Sequence, residues 1–204
     1  IGTTISMQAI SFSLGKYALF AVTLGFIASM VAKNPKVRKI GLSVMGFGLL
    51  FLGMNLMSDA IKPYRDLLKP VMASISGETT QGLVLGILLA VALTSVIQSS
   101  GATIGMAFAL VQAGVLTSVE QTMPIILGAH IGTCATALLG SIGTSMNAKR
   151  SAYAHLIFNI FNVILASLLK GPLVAFLVWM SPDNVLRQSA NLHTVVMVVA
   201  AFLV

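Results

Sequence analysis

Apolar residues run along this chain in long blocks broken by short polar or basic stretches, and the block lengths separate two kinds of helix. A helix needs about 20 residues to cross about 30 Å of hydrocarbon. Residues 17–32, 40–57, 121–146 and 151–169 meet or approach that length and are predicted crossings. Residues 83–97 (LVLGILLAVALTSVI) and 104–116 (IGMAFALVQAGVL) are shorter and flank a polar break, Gln98-Ser99-Ser100-Gly101-Ala102-Thr103. Two short apolar helices around such a break predict a re-entrant hairpin over 82–117. Its turn must be buried in protein or line a wet cavity, because lipid cannot satisfy free backbone groups.

Composition strengthens this reading. Of the 204 residues, 57% are hydrophobic and 8% charged, against about 25% charged in an ordinary soluble domain, and the mean hydropathy is +0.97. Soluble, disordered and disulfide-stapled classes are thereby excluded, and the expected fold class is an all-α polytopic membrane protein. The net charge of +7 is spread between apolar runs, so lipid headgroups rather than nucleic acid are the expected counter-charge. The single Cys134 has no partner for an internal disulfide. The chain opens on Ile1-Gly2-Thr3-Thr4 without the basic segment of a signal peptide, and residues 188–204 end inside an apolar run. A fragment of a longer protein is the expectation.

Basic residues orient the crossings. Lys33, Lys36, Arg38 and Lys39 place 33–39 in the cytoplasm. Residues 58–80 balance Asp59, Asp66 and Glu78 against Lys62, Arg65 and Lys69, which suits an external amphipathic segment. A hairpin enters and leaves on one face, so 121–146 runs inward and delivers Lys149 and Arg150, in 147–150, to the cytoplasm. Ile1-Gly2-Thr3-Thr4 recurs as Ile131-Gly132-Thr133-Cys134, and with these orientations the two copies run in opposite directions. Opposed copies of one motif mark an inverted repeat, an architecture of secondary transporters.

The hairpin break carries the clearest chemistry. Free N–H groups at residues 101–104 and the positive end of a helix dipole attract an anion, while the carbonyls near Thr94 to Ile97 attract a cation such as sodium. Ser99, Ser100 and Thr103 donate to an anion's oxygens, and Gln98 serves either ion. A polar kink or a hydroxyl packing contact is the plainer alternative. In Leu127-Gly128-Ala129-His130-Ile131-Gly132-Thr133-Cys134, His130 and Thr133 share a helical face that could form the wall opposite the tip, whereas Gly128 and Gly132 also suit a simple packing face. His155, Asn159 and Asn162 form one stripe that bonds to neighbouring helices or lines the pathway. No acidic residue lies inside a predicted crossing, which favours sodium held by neutral oxygens over a proton relay.

The segments TSVIQSSGATIG (94–105), LGAHIGTC (127–134) and AKRSAYAHLIFN (148–159), preceded by LLFLGMNLMSDAIKP (49–63), resemble the second repeat of the sodium/phosphate cotransporter family. Residues 1–4 resemble the end of the first repeat's Gly-rich motif. The resemblance implies a tail of the first repeat in 1–16, connecting helices and the external segment in 17–80, the second repeat in 81–170 and truncated membrane segments in 171–204. It implies an inverted-repeat transporter with broken helices, symporting inorganic phosphate and sodium through hairpin tips near mid-membrane. Gln98, Ser99, Ser100, Gly101 and Thr103 would bind phosphate, and Gln98, Ser99, Ser100 and Thr133 would bind sodium, the sole metal. His130, Cys134, His155 and Asn159 would support the site. No cofactor and no catalysis are implied. The implied partners are phosphate, sodium, the bilayer and the first repeat, in an inner or plasma membrane.

Three residues depart from the family pattern: Gly101 stands for a Ser, His130 for an Asn and Cys134 for a Thr. A charge on His130 beside the anion would add pH dependence. The alternatives are a carrier of another small anion, a serine hydrolase using Ser100 with His155, and a purely structural subunit.

Overall fold

The computed structural model describes residues 2–12 and 14–203, with Gly2 and Leu203 as backbone only. Ile1 of the repeated motif, Ser13 of the 1–16 segment and Val204 of the 171–204 segment lie outside the described residues. Among the described residues eleven α-helices follow in order: α1 Gly2–Ile10, α2 Ala18–Val31, α3 Pro35–Ile61, α4 Arg65–Ser74, α5 Thr80–Ile97, α6 Ser100–Gln112, α7 Val119–Gly132, α8 Cys134–Gly140, α9 Met146–Leu168, α10 Lys170–Met180 and α11 Val185–Leu203. Among the described residues there is no strand, and six stretches are long and apolar enough to cross a membrane. The chain is an all-α polytopic membrane protein.

Capping residues set the helix starts and correct several predicted boundaries. Asn34 Oδ1 accepts the Lys36 N–H at 2.9 Å with Pro35 in the first turn, so α3 begins five residues before the predicted crossing at 40. Lys36, Arg38 and Lys39 therefore stand on the first turns of α3 rather than in a loop at 33–39. Ser145 caps α9 through the Ala148 N–H, which likewise moves residues 147–150 from loop to helix. Thr79 caps α5 through the Gly82 N–H at 3.0 Å, which lengthens the first hairpin arm to 18 residues. The helix predicted over 121–146 is interrupted at Thr133 and stops at Gly140, because Ser141 to Thr144 turn, with Gly143 at φ +76°.

Helices α5 and α6 form a hairpin whose two ends meet. The Gly77 N–H before α5 donates to the Glu120 carbonyl of α7 at 2.8 Å, and Gln121 Nε2 reaches Glu78 Oε1 at 3.3 Å. Only residues 113–118 separate the end of α6 from α7, so the chain leaves and returns at one level. Lys170 Nζ donates to the Gly77 carbonyl at 2.7 Å, which brings the α9–α10 junction to the same base. From that base α5 and α7 run parallel in backbone contact: a Cβ at Gly128 would lie 2.5 Å from the Ile87 carbonyl, and one at Gly132 2.9 Å from the Val91 carbonyl. Small residues permit this approach. Beyond the tip, α8 adds 7 residues, about 10 Å, so the hairpin turns back before the far end of the bundle.

Helix α6 is the most enclosed arm, with Ile104, Ala107, Phe108 and Ala109 fully buried. Its apolar side joins Met7 and Ile10 of α1, Met123 and Leu127 of α7 and Leu192 of α11 in one core. Helices α2 and α3 pack antiparallel, Gly25 against Met45 and Gly48 against Val22. The end of α3 approaches the hairpin base, where the Arg65 side chain lies near Gly114. Lys36, Arg38, Lys39, Lys149 and Arg150 thus all lie at the opposite end of the bundle. Helix α4 is amphipathic and leaves Leu67 and Val71 exposed, beside the charged Arg65, Asp66 and Lys69.

Candidate functional site

At the hairpin tip the backbone leaves helical geometry for only two residues. Gln98 adopts φ +58°, and its N–H donates back to the Thr94 carbonyl at 2.7 Å, closing α5. Ser99 is extended, and its Oγ accepts the Ala102 N–H at 3.2 Å, opening α6. A left-handed Gln is strained by roughly 1–2 kcal/mol relative to Gly. The strain places the Gln98 side chain beside the first turn of α6, whose Ser100 and Gly101 N–H groups have no helical acceptor. The predicted six-residue break is shorter because Ser99 starts the helix at once.

A cavity of about 740 Å³ lies at this tip. Gln98, Ser99, Ser100, Gly101 and Ala102 line it from the hairpin and Thr133 from the break between α7 and α8. Thr3, Ser6 and Met7 of α1 line it from another side, and Leu49, Leu50, Met54 and Met57 of α3 form an apolar wall. No lining residue is charged. Thr133 Oγ1 donates to the Ala129 carbonyl at 2.8 Å, which uses its proton and leaves lone pairs for an acceptor role.

The cavity's depth follows from the helices around it. Cys134 Sγ contacts the His155 carbonyl at 3.7 Å, and His155 lies between Met146 and Leu168, about 14 Å along the helix from the first and 20 Å from the second. The tip is therefore near the middle of a full-length spanning helix. The two Gly-Thr motifs also meet here in opposed directions. Arg187 Nη1 donates to Ser11 Oγ at 3.3 Å, and Ser189 Oγ pairs with Thr122 Oγ1 in the first turn of α7 at 2.7 Å. Helix α1 thus descends from Thr3 toward the hairpin base, whereas α8 leaves Thr133 away from it.

Several predicted residues lie elsewhere. Thr103 is fully buried; it accepts from Thr94 Oγ1 at 3.0 Å and donates to the Ser99 carbonyl at 3.3 Å. It staples the hairpin and does not line the cavity. Thr103→Val is expected to cost about 2–3 kcal/mol of stability, because it removes both hydrogen bonds and leaves the buried Thr94 hydroxyl without its acceptor. Thermal unfolding checks this.

His130 is buried and turned from the cavity. Its ring meets His193 edge-on with centroids 4.7 Å apart, and neither of its nitrogens has a hydrogen-bond partner. The expected charge beside an anion is thus not what this geometry provides. Cys134 is buried against the His130 and His155 carbonyls. Asn159 is buried and donates to the His155 carbonyl at 2.9 Å. His155 is exposed and lines no part of the cavity that holds Ser100, and no hydrogen bond joins the two among the described residues. The hydrolase alternative lacks its dyad.

Sequence reasoning missed the α1 contribution, although the echo of Thr133 in Thr3 was the available signal. It also read 188–204 as plainly apolar. In the structure Gln188, Ser189, Asn191 and His193 are buried: Gln8 Nε2 donates to Asn191 Oδ1 at 2.9 Å and to Thr194 Oγ1 at 2.8 Å, and Thr4 Oγ1 lies 3.2 Å from His193 Nδ1.

The sequence model of the Na+/Pi-cotransporter family matches residues 1–59 and 62–181. A relative from Bacillus subtilis (strain 168), the uncharacterized protein YqeW, is 25% identical over 90% of this chain and 58% of its own length. YjbB from Escherichia coli (strain K12), whose name proposes inorganic phosphate export, is 24% identical over 78% of the chain and 29% of its own length. The sodium-dependent phosphate transport protein 2B of Homo sapiens is 36% identical over 40% of the chain and 12% of its own length. The chain thus spans little more than half the length of the first of these and less of the others. No solved structure matches.

Proposed function

Because this chain belongs to the Na+/Pi-cotransporter family, we propose that it forms part of a secondary transporter that carries inorganic phosphate with sodium, both held in the cavity at the hairpin tip. The reading takes 81–170 as one repeat, 1–16 as the end of an inverted partner repeat and 171–204 as further membrane segments. The remainder of the longer protein supplies the other hairpin and completes the site. The basic helix ends at 33–39 and 147–150 face the cytoplasm of the cell membrane.

The observation that carries this reading is an uncharged cavity onto which a helix N-terminus opens. Phosphate near neutral pH carries one to two negative charges, and the α6 terminus offers about half a positive charge. With no Lys or Arg in the lining, the balance falls to co-bound cations. Gln98 Oε1, the Ser99, Ser100 and Thr133 hydroxyls and the last carbonyls of α5 are hard, neutral oxygen donors that suit sodium. The Ser100 and Gly101 N–H groups then bind the phosphate oxygens. Gating and ion binding, rather than bond making, are the chemistry assigned to these groups.

Position 101 tunes the site. The nearest atom to a Cβ built at Gly101 is Ser99 Oγ at 3.9 Å, so Gly101→Ser fits without rearrangement. It is expected to change stability by less than about 0.5 kcal/mol and to tighten phosphate binding by roughly two- to tenfold through one added donor. A phosphate titration of uptake in both proteins checks this. The reading as a whole is tested by reconstituting the full-length protein and following radioactive phosphate into vesicles. Uptake above protein-free vesicles is expected; uptake of sulfate with none of phosphate would assign the same cavity to a different anion.

A further inference from the structure

A second cavity, about 570 Å³, runs as a groove between α3 and the segment joining α1 to α2. One stripe of α3 forms its floor, from Lys39 through Ser43 and Phe47 to Phe51, and Leu14 and Tyr17 border its far end. Lys39 and Phe51 are separated by about 18 Å of helix. One leaflet of a 30 Å hydrocarbon core is about 15 Å deep, so the groove has the length of one leaflet. Tyr17 is 52% and Phe47 40% exposed, so no part of the described chain covers it.

Charge gives the groove a polarity. Among the described residues Lys39 is the one charged residue that lines it, with Lys33, Lys36 and Arg38 at the same end of α3, against a single cation at the far end, Lys16 over the Tyr17 ring. No acidic residue precedes Asp59, so the four cations at the basic end have no local counter-charge. A zwitterionic lipid would satisfy the apolar stripe equally well; the basic end selects an anionic headgroup.

We propose that this groove binds an anionic phospholipid of the leaflet at the basic end, an acyl chain lying along Phe47 and Phe51 and the headgroup phosphate against Lys39. The site is separate from the tip cavity and independent of what that cavity carries. A lipid seated between α3 and the segment joining α1 to α2 would hold these elements together and so support the wall that α1 gives the tip cavity.

Native mass spectrometry of the full-length protein, purified from bilayers holding equal amounts of phosphatidylglycerol and phosphatidylethanolamine, tests it. Retained phosphatidylglycerol is expected to exceed phosphatidylethanolamine severalfold, and Lys39→Gln to cut that retention about fivefold, the weight of one lysine at an anionic surface. Val44→Trp, which fills the groove from an exposed position, is expected to remove the bound lipid. Lys62→Gln, at the other end of α3, is expected to retain it. Equal retention of the two lipids, or unchanged phosphatidylglycerol binding in Lys39→Gln, would overturn the proposal.

Discussion

Gln98→Gly is expected to yield a protein that folds as well as the wild type or better and transports phosphate about 10- to 100-fold more slowly. The two effects have separate causes. Gln98 stands at φ +58°, a conformation that Gly adopts freely, so the substitution removes roughly 1 kcal/mol of backbone strain. It also removes the one side-chain amide at the tip. A hydrogen bond to a charged ligand is worth about 1.5–3 kcal/mol, which is the stated loss when the amide contacts the bound ion. Melting temperature and initial uptake rate from the same vesicles separate the outcomes. A stabilised protein with normal uptake would show that the left-handed Gln is only a helix stop.

Gly128→Val is expected to be among the most damaging single changes outside the cavity. A Cβ there would lie 2.5 Å from both the Ile87 carbonyl oxygen and the Ala90 Cβ. Since the first of these is backbone, relief requires α5 and α7 to part along their shared length. Overpacking of this kind costs about 1–3 kcal/mol, and more when backbone must move. A loss of about 3 kcal/mol would leave little folded protein after detergent extraction. Gly53→Val is the control, because open space surrounds that position, and its yield is expected to match the wild type. Size-exclusion profiles of the two variants decide the matter. Equal yields would mean that α5 and α7 are not held in backbone contact.

The contrast between these two sites shows where sequence was informative. Helix starts are written in local chemistry that the sequence reading did not use, since Asn34-Pro35, Thr79, Ser99 and Ser145 each precede a helix and accept from its first turn, whereas 33–39 and 147–150 were expected to be loops. The hairpin was visible because two apolar runs flanked a polar break, although the first arm proves to be 18 residues, long enough to cross. What stayed hidden depended on rotation within that break. Six polar or small residues in a row looked equivalent, but once α6 starts at Ser100 the helix turns Thr103 inward onto Thr94 and leaves residues 98–102 at the cavity.

His130 was placed beside the site for a related reason, whereas Thr133 lines the cavity. Three residues apart on a helix they share a face, yet the chain breaks at Thr133, and His130 spends its ring on His193. That contact joins α7 to α11, and the Gln8 bonds to Asn191 and Thr194 join residues separated by most of the chain. The polar stripe of α11 therefore looked like part of an apolar run. Its partners become visible only when α1 is laid beside it.

Coupling between sodium and phosphate is the central claim of the proposed function, since the described lining of the cavity brings no charged side chain to balance the anion. Equilibrium binding is linked reciprocally: if sodium tightens phosphate binding, phosphate must tighten sodium binding by the same factor. The most direct measurement is phosphate binding to the purified full-length protein in sodium chloride and in choline chloride at matched ionic strength, with Ser100→Ala alongside. The account predicts phosphate affinity at least about tenfold higher in sodium, and that advantage reduced in Ser100→Ala. Equal affinity in sodium and choline would contradict it.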